Sequence, residues 1–142
     1  MERREGRRMI ERARAHLRAR GRRVFFDAEH FYDGFVADAE YALETLRAAQ
    51  RGGAEVVILC DTNGGTLPSQ VAAATRRVRT EVSLPIGLHA HDDCGCAVAS
   101  TMAAVESGAT QVQGTIHGYG ERSGNANLVT FAATVALHLR TA

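Results

Sequence analysis

The sequence predicts an α/β fold built from four parallel βα units, on three observations. Short apolar runs alternate with longer segments of helical periodicity. The runs begin near residues 24, 56, 86 and 112, at intervals of 32, 30 and 26 residues, the length of a strand with its crossover helix. Polar residues gather just after each run, where parallel α/β proteins place their ligands.

Each element has its own signal. Met9 or Ile10, Ala13 and Leu17 recur at helical spacing through an arginine-coated segment that Gly21 closes as a C-terminal cap. Val24-Phe25-Phe26 reads as the first strand, ending in Asp27-Ala28-Glu29-His30. A loop containing Gly34 follows. Ala39, Ala42, Leu43 and Leu46 then mark an amphipathic helix that stops at Gly52-Gly53. Val56 to Cys60 is an uninterrupted apolar run, as a strand covered on both faces requires, and it ends in Asp61-Thr62-Asn63-Gly64-Gly65. Pro68 suits the first turn of the next helix, continued by Val71, Ala74 and Val78. Ile86 to Leu88 is the third strand, followed by His89-Ala90-His91-Asp92-Asp93 and a helix over Val98, Thr101, Met102 and Val105. Val112 to Ile116 reads as the fourth strand, His117 to Gly124 as a glycine-rich loop, and Leu128, Phe131, Ala132, Val135 and Leu139 as the final helix. Four such units are half of a (β/α)8 barrel, whose ordinary length is ~250 residues.

Length and composition exclude several classes. At 142 residues the chain is one domain or part of one. With 45% hydrophobic and 23% charged residues it predicts a soluble globular core, and no apolar run approaches the ~18 residues a membrane span needs. The net charge of +1 argues against a general nucleic-acid or polyacidic partner. Its distribution is uneven: residues 1–23 hold ten Arg against three Glu, and the remainder seven Arg against thirteen acids. Glu2, Glu5 and Glu11 interrupt the arginine run, which reads as a solvated helix face rather than a nucleic-acid arm or transit peptide. Three cysteines, Cys60, Cys94 and Cys96, are too few and odd in number for a disulfide framework. They fit a reducing cytoplasm, with all three in structural roles and the last two in the first turn of a helix.

His89-Ala90-His91 is the sharpest chemical signal. Residues i and i+2 of a strand point the same way, so both imidazoles converge at the strand's end, a donor pair suited to Zn2+, Mn2+ or Fe2+. Asp92 and Asp93 are candidates to fix the histidine tautomers. A catalytic site takes about three protein ligands, and Asn125, Glu29, Asp61 and His117 are candidates for the third. Two partly exposed loop histidines are the structural alternative. Glu29 would face the same mouth, as a general base if desolvated or otherwise as a surface acid paired with arginine. Thr62 with Asp61 and Asn63 offers a hydroxyl and backbone N–H groups for a substrate carboxylate, or is simply a polar turn. The loop Gly118 to Asn125 has the spacing G-x-G-x-x-x-G in the last βα turn, which argues against a dinucleotide site. It supplies Arg122 as an anion partner and Asn125 at the start of the final helix.

Read together, Phe26-Asp27-Ala28-Glu29-His30-Phe31-Tyr32-Asp33-Gly34, Leu59 to Pro68, the His89–His91 motif and Gly114 to Asn125 resemble the acyl-CoA-dependent α-keto acid condensing enzymes. This family comprises the citramalate, 2-isopropylmalate and homocitrate synthases and shares a metal-dependent (β/α)8 barrel with 3-hydroxy-3-methylglutaryl-CoA lyase. The resemblance covers nearly all of residues 24–139 and is closest to the citramalate synthases. It implies a divalent metal, Mn2+, Zn2+ or Mg2+, on His89 and His91 with Asn125 at or beside it. It places Glu29 at an acetyl group as base or its orienting partner. Thr62 takes the keto-acid carboxylate, with Asp61 and Arg122 also in substrate binding. His117 stands where relatives carry Asn.

The implied reaction is condensation of acetyl-CoA with pyruvate followed by thioester hydrolysis, an acyltransferase step of isoleucine biosynthesis. The family's Arg-Asp pair on the first barrel strand, which supplies the third metal ligand, has no counterpart here. The chain therefore reads, over 1–142, as the C-terminal half of the barrel. It is expected to be inactive alone, and to pair with itself as a homodimer or with the missing N-terminal half. The alternatives are another synthase of the group, a lyase on the same barrel, or a non-catalytic half-barrel.

Overall fold

The computed structural model describes residues 3–139. Glu2, one of the three acids in the arginine run, lies outside them. The order is α1 (Arg3–Arg18), β1 (Phe25–Ala28), α2 (Phe31–Ala37), α3 (Ala39–Arg51), β2 (Val56–Asp61), α4 (Pro68–Arg79), β3 (Ile86–Ala90), α5 (Ala97–Glu106), β4 (Gln111–Gln113) and α6 (Leu128–His138). The four strands form one parallel sheet in the order β1-β2-β3-β4, as the repeat predicts.

Alternation along the strands divides the sheet into two faces. Phe26, Ala28, Val57, Leu59, Ile86 and Leu88 point to the helices and join Leu43, Leu46, Val71 and Val78 in the main core. Val56, Ile58 and Cys60 face the other way and form a small second cluster. Phe25, Asp27, His89 and Gln113 share that second, concave face through the register Asp27↔Ile58, Cys60↔His89 and His89↔Gln113. The sheet curls so strongly that Gln113 on β4 reaches Asp27 on β1, the opposite edge, at 3.4 Å.

Four local expectations are corrected. The loop at Gly34 is the helix α2: Phe31 and Tyr32 are buried, and Phe31 stacks on Phe35 with ring centroids 5.5 Å apart. Burial of Phe31 and Tyr32, with Phe35 partly buried against the same core, overrides the weak propensity of the glycine. The fourth strand is shorter and earlier than Val112–Ile116, because Ile116–Gly118 turn into one 3-10 turn with His117 in the left-handed region. Cys94 and Cys96 precede α5 rather than opening it, and Asp92 caps that helix by accepting Ala97 N–H at 2.8 Å. Asn125 does not start the final helix either; Asn127 caps α6, accepting Val129 N–H at 3.0 Å.

The charge asymmetry of the sequence closes on itself. Arginines of α1 pair with acids of the remainder: Arg3 with Asp38, Arg7 with Glu44 and Arg18 with Glu55, while Glu11 receives Arg51. Such exposed pairs are individually weak and screened by salt. Close packing does more. Arg14 lies 4.0 Å over the Phe26 ring, and Gly52 lets α1 approach so near that a Cβ there would stand 2.6 Å from Glu11 O. At the other end α6 carries an apolar sequence with no buried residue, Leu137 being 76% exposed. Among the described residues no helix is long and apolar enough to cross a membrane.

Candidate functional site

The predicted site residues meet at the C-terminal ends of the strands. His89, on the concave face of β3, and His91, just beyond it, have ring centroids 5.2 Å apart. Asn125 bridges to His91 through the backbone, and its Nδ2 lies 3.2 Å from His89 Nε2. His91 and Asn125 are 7% and 8% exposed, so the pair sits in the protein rather than on a mobile tip. Of the two histidines, His91 is buried and His89 remains partly exposed.

Glu29 and Thr62 form a second cluster beside the first. Thr62 Oγ1 donates to Glu29 Oε2 and accepts the His30 N–H, each at 2.8 Å. His30 takes the left-handed conformation (φ 54°), which turns the chain from β1 into α2 directly after Glu29. Glu29 itself is exposed. Among the described residues three non-glycine residues have positive φ, His30, His117 and Arg122, and all lie in loops after β1 or β4.

Two predicted substrate partners are engaged within the protein. Asp61, 4% exposed, accepts Thr66 N–H at 3.1 Å and Thr66 Oγ1–H at 2.8 Å, closing the turn before α4. Arg122 ties three loops together. It donates Nε–H and one terminal N–H to the two Asp93 oxygens at 2.9 Å each, and another to Thr62 O at 2.6 Å. The same nitrogen lies 3.2 Å from His91 Nδ1. The guanidinium holds the Asp93 carboxyl below the usual carboxylate range.

The tautomer-fixing partners also differ from expectation. Asp92 caps α5 and Asp93 binds Arg122, and among the described residues neither is hydrogen-bonded to an imidazole. Gln113 is: its Oε1 lies 2.9 Å from His89 Nδ1. Sequence reasoning missed Gln113 and Asp27. The signal was present in Gln111-Val112-Gln113, whose alternation places both amides on one face, and in Asp27 standing two residues before Glu29.

The donor types fit a divalent cation. A glutamine oxygen lies opposite His89 Nδ1, and Nε2 faces the Asn125 amide nitrogen, so a cation on Nε2 requires that amide to turn. His91 Nδ1 faces Arg122, so use of its other nitrogen requires that contact to loosen. Asn125 presents its amide directly beside His89. Among the described residues no three His, Cys, Asp or Glu side chains converge. His117 joins none of these contacts and packs its ring against Tyr119, centroids 6.3 Å apart. A cavity of about 560 Å³ lies between α2 and α4, walled by Tyr32, Phe35, Val36, Thr66 and Gln70, and it reaches Asp61 and Asn63 in the loop that carries Thr62.

A family profile described as HMGL-like matches residues 1–141. The chain is 52% identical over 139 residues to the (R)-citramalate synthase of Synechocystis sp., covering 92% of this chain and 25% of that protein. To the (R)-citramalate synthase of Streptomyces coelicolor it is 56% identical over 126 residues, covering 89% and 23%. It thus spans about a quarter of the length of the curated relatives it matches. The N-terminal domain of a proposed aldolase from Bacteroides vulgatus has the same fold, with a TM-score of 0.79 at 24% identity, over 96% of this chain and 46% of that one.

Proposed function

The chain belongs to the HMGL-like family, and on that premise we propose that it is the C-terminal half of the catalytic barrel of a citramalate synthase-like acyltransferase. The observation that carries this reading is the convergence of His89, His91 and Asn125 at one mouth, beside the bonded pair Thr62 and Glu29. Identity supports the choice within the family: 52% and 56% to citramalate synthases against 39% to a 2-isopropylmalate synthase of Methanocaldococcus jannaschii. The half-barrel reading is supported by the curled sheet, whose edges β1 and β4 carry no further strand among the described residues, and by the uncovered apolar face of α6. A complementary N-terminal half would pair both edges and remove an aggregation hazard.

His89, His91 and Asn125 would hold a divalent metal, Mn2+, Zn2+ or Mg2+, which when bound supplies Lewis acidity toward a keto acid's oxygens. The chain's own residues act around it. The Glu29 carboxylate takes a proton from the methyl of acetyl-CoA, and the carbanion equivalent adds to the keto carbon of pyruvate. Water then cleaves the thioester, giving citramalate and free CoA. Thr62 donates to Glu29 in the substrate-free chain; turned toward the substrate's carboxylate, the same hydroxyl orients pyruvate and frees the base. Arg122 holds the loops bearing Thr62, His91 and Asp93 in register, so its part is the placement of these groups.

The test is reconstitution. The chain is mixed with a complementary N-terminal barrel half, and CoA thiol release is followed with acetyl-CoA and pyruvate. Release that requires both halves, both substrates and His89 supports the reading. No release with pyruvate or any other small α-keto acid from a monodisperse complex overturns it, and cleavage of an acyl-CoA product instead would move the assignment to a lyase.

A further inference from the structure

Gln113 and Asp27 have no part in the mechanism above, yet they form a continuous polar chain ending on a proposed metal ligand. Gln113 extends from β4 across the concave face, with Oε1 at 2.9 Å from His89 Nδ1 and Nε2 at 3.4 Å from Asp27 Oδ1. We propose that Asp27 and Gln113 are positioning residues that set the tautomer of His89, so that its Nε2 lone pair is presented to a divalent cation. The inference rests on the metal-site reading given above and deepens it.

The argument follows from what each group can donate. An ionised carboxylate only accepts hydrogen bonds, so Asp27 can be met only by the amide's NH2 end. The two ends of an amide differ, and with NH2 committed to Asp27 the carbonyl oxygen faces His89. A carbonyl oxygen only accepts, so the His89 nitrogen opposite it must carry hydrogen. A neutral imidazole bears one ring hydrogen, and Nε2 is therefore left with a lone pair. The other side of the ring agrees: Asn125 approaches Nε2 through its Nδ2, a donor, at 3.2 Å. Three residues on β1, β4 and the loop before α6 thus specify one tautomer of His89 from two directions. An outer partner that fixes ring orientation and raises ligand basicity in this manner is worth about ten- to hundredfold in metal affinity.

Geometry singles out Gln113 over its neighbours. Gln111 lies on the same face but two residues earlier, packed over Gly87, where any Cβ would collide with its amide. Cys60, beside His89 in register, is buried and makes only a 3.8 Å contact to Ile58 O. No other acceptor contacts His89 Nδ1 among the described residues.

The test uses the full chain without metal and then Zn2+ alone. Long-range 1H–15N spectra of the histidine rings report which nitrogen is protonated, independently of binding. The expected result is an Nδ1–H tautomer for His89 in the starting chain. Gln113→Leu should shift it toward Nε2–H and weaken Zn2+ binding, measured calorimetrically, ten- to hundredfold. Asp27→Asn replaces an exposed side chain at constant size. It frees the Gln113 amide to adopt either orientation and should give a mixture of tautomers, which decides the matter if Gln113→Leu does not fold. An Nε2–H tautomer in the starting chain, or a tautomer unchanged in Asp27→Asn and Gln113→Leu, overturns the proposal. If Zn2+ fails to bind while the tautomer follows Gln113, the metal-site reading falls and the positioning chain stands.

Discussion

Thr62 Oγ1 spends its only hydrogen on Glu29 Oε2 at 2.8 Å while accepting the backbone N–H of His30 at the same distance. The hydroxyl's one hydrogen is thus committed to Glu29, and on the proposed reading catalysis requires that hydrogen to change partners. A hydrogen bond to a charged group is worth about 1.5–3 kcal/mol, or roughly ten- to hundredfold in rate or affinity. In the reconstituted barrel, Thr62→Val should lower kcat/KM for the keto acid by about that factor, and Thr62→Ser should restore most of it. Combined with Glu29→Gln, Thr62→Val should cost much less than the two losses multiplied, as measured by CoA release. Independent, multiplicative losses would show that the two groups do not act together.

Arg122 and Asp93 join the loops after β3 and β4 by two 2.9 Å bonds, and the pairing has a pH signature. Hydrogen bonding to Arg122, with its charge adding, lowers the Asp93 pKa in the folded chain. A depressed carboxyl contributes stability that is present above its unfolded value of about 3.9 and lost as pH falls through the lower folded value. Urea midpoints of the starting chain and Arg122→Gln should therefore differ near pH 6 and converge as the pH falls below about 4. Added salt should narrow the gap at pH 6. A gap that stays constant through this range would mean that Arg122 contributes by packing alone.

The repeat and the location of the mouth were legible because they rest on strong patterns: Val56–Cys60 is apolar on both faces, and His89 and His91 share a strand period. What escaped notice depended on tertiary contacts. The helix at Phe31 has no side-chain cap and contains Gly34, so only burial of its aromatics against α3 and β2 reveals it. Asp92 and Asp93 stand beside the histidines in sequence, yet Asp92 turns to the α5 N-terminus and Asp93 to an arginine 29 residues away. The partner His89 does have comes from the neighbouring strand, and strand register cannot be read from one strand. Asp61 looked available because it ends a strand, but a turn five residues long folds Thr66 back onto it.

Gly120 and Gly52 allow one kind of close approach with opposite consequences. A Cβ on Gly120 would fall on Asn125 Oδ1, a side-chain atom, and would force the buried amide off its place beside His89 while meeting backbone only at 3.4 Å. A Cβ on Gly52 would meet Glu11 O at 2.6 Å and Glu11 Cα at 3.0 Å, which belong to the backbone of α1 and cannot yield alone. Gly120→Ala should therefore keep its thermal midpoint within a few degrees while weakening Zn2+ binding at least tenfold. Gly52→Ala should leave Zn2+ binding intact and lose roughly 1–3 kcal/mol of stability as α1 is pushed from α3. Calorimetry and thermal unfolding of the two variants separate these effects, and equal losses of both properties in both variants would contradict the assignment.

The three thiols should report the packing of the concave face directly. Burial pushes the Cys60 thiol up, with the Glu29 and Asp27 carboxylates adding to the shift, so almost no thiolate forms there at pH 8. The Cys96 thiol is also raised, chiefly by its hydrogen bond with Cys94, whereas Cys94 is exposed. Ellman's reagent at pH 8 should therefore modify Cys94 first, Cys96 more slowly, and Cys60 only at the rate of opening or unfolding. In denaturant all three should react together. Prompt reaction of Cys60 in the native chain would mean that Val56, Ile58 and Cys60 do not shield one another, and that the imidazole beside Cys60 in register is solvated as well.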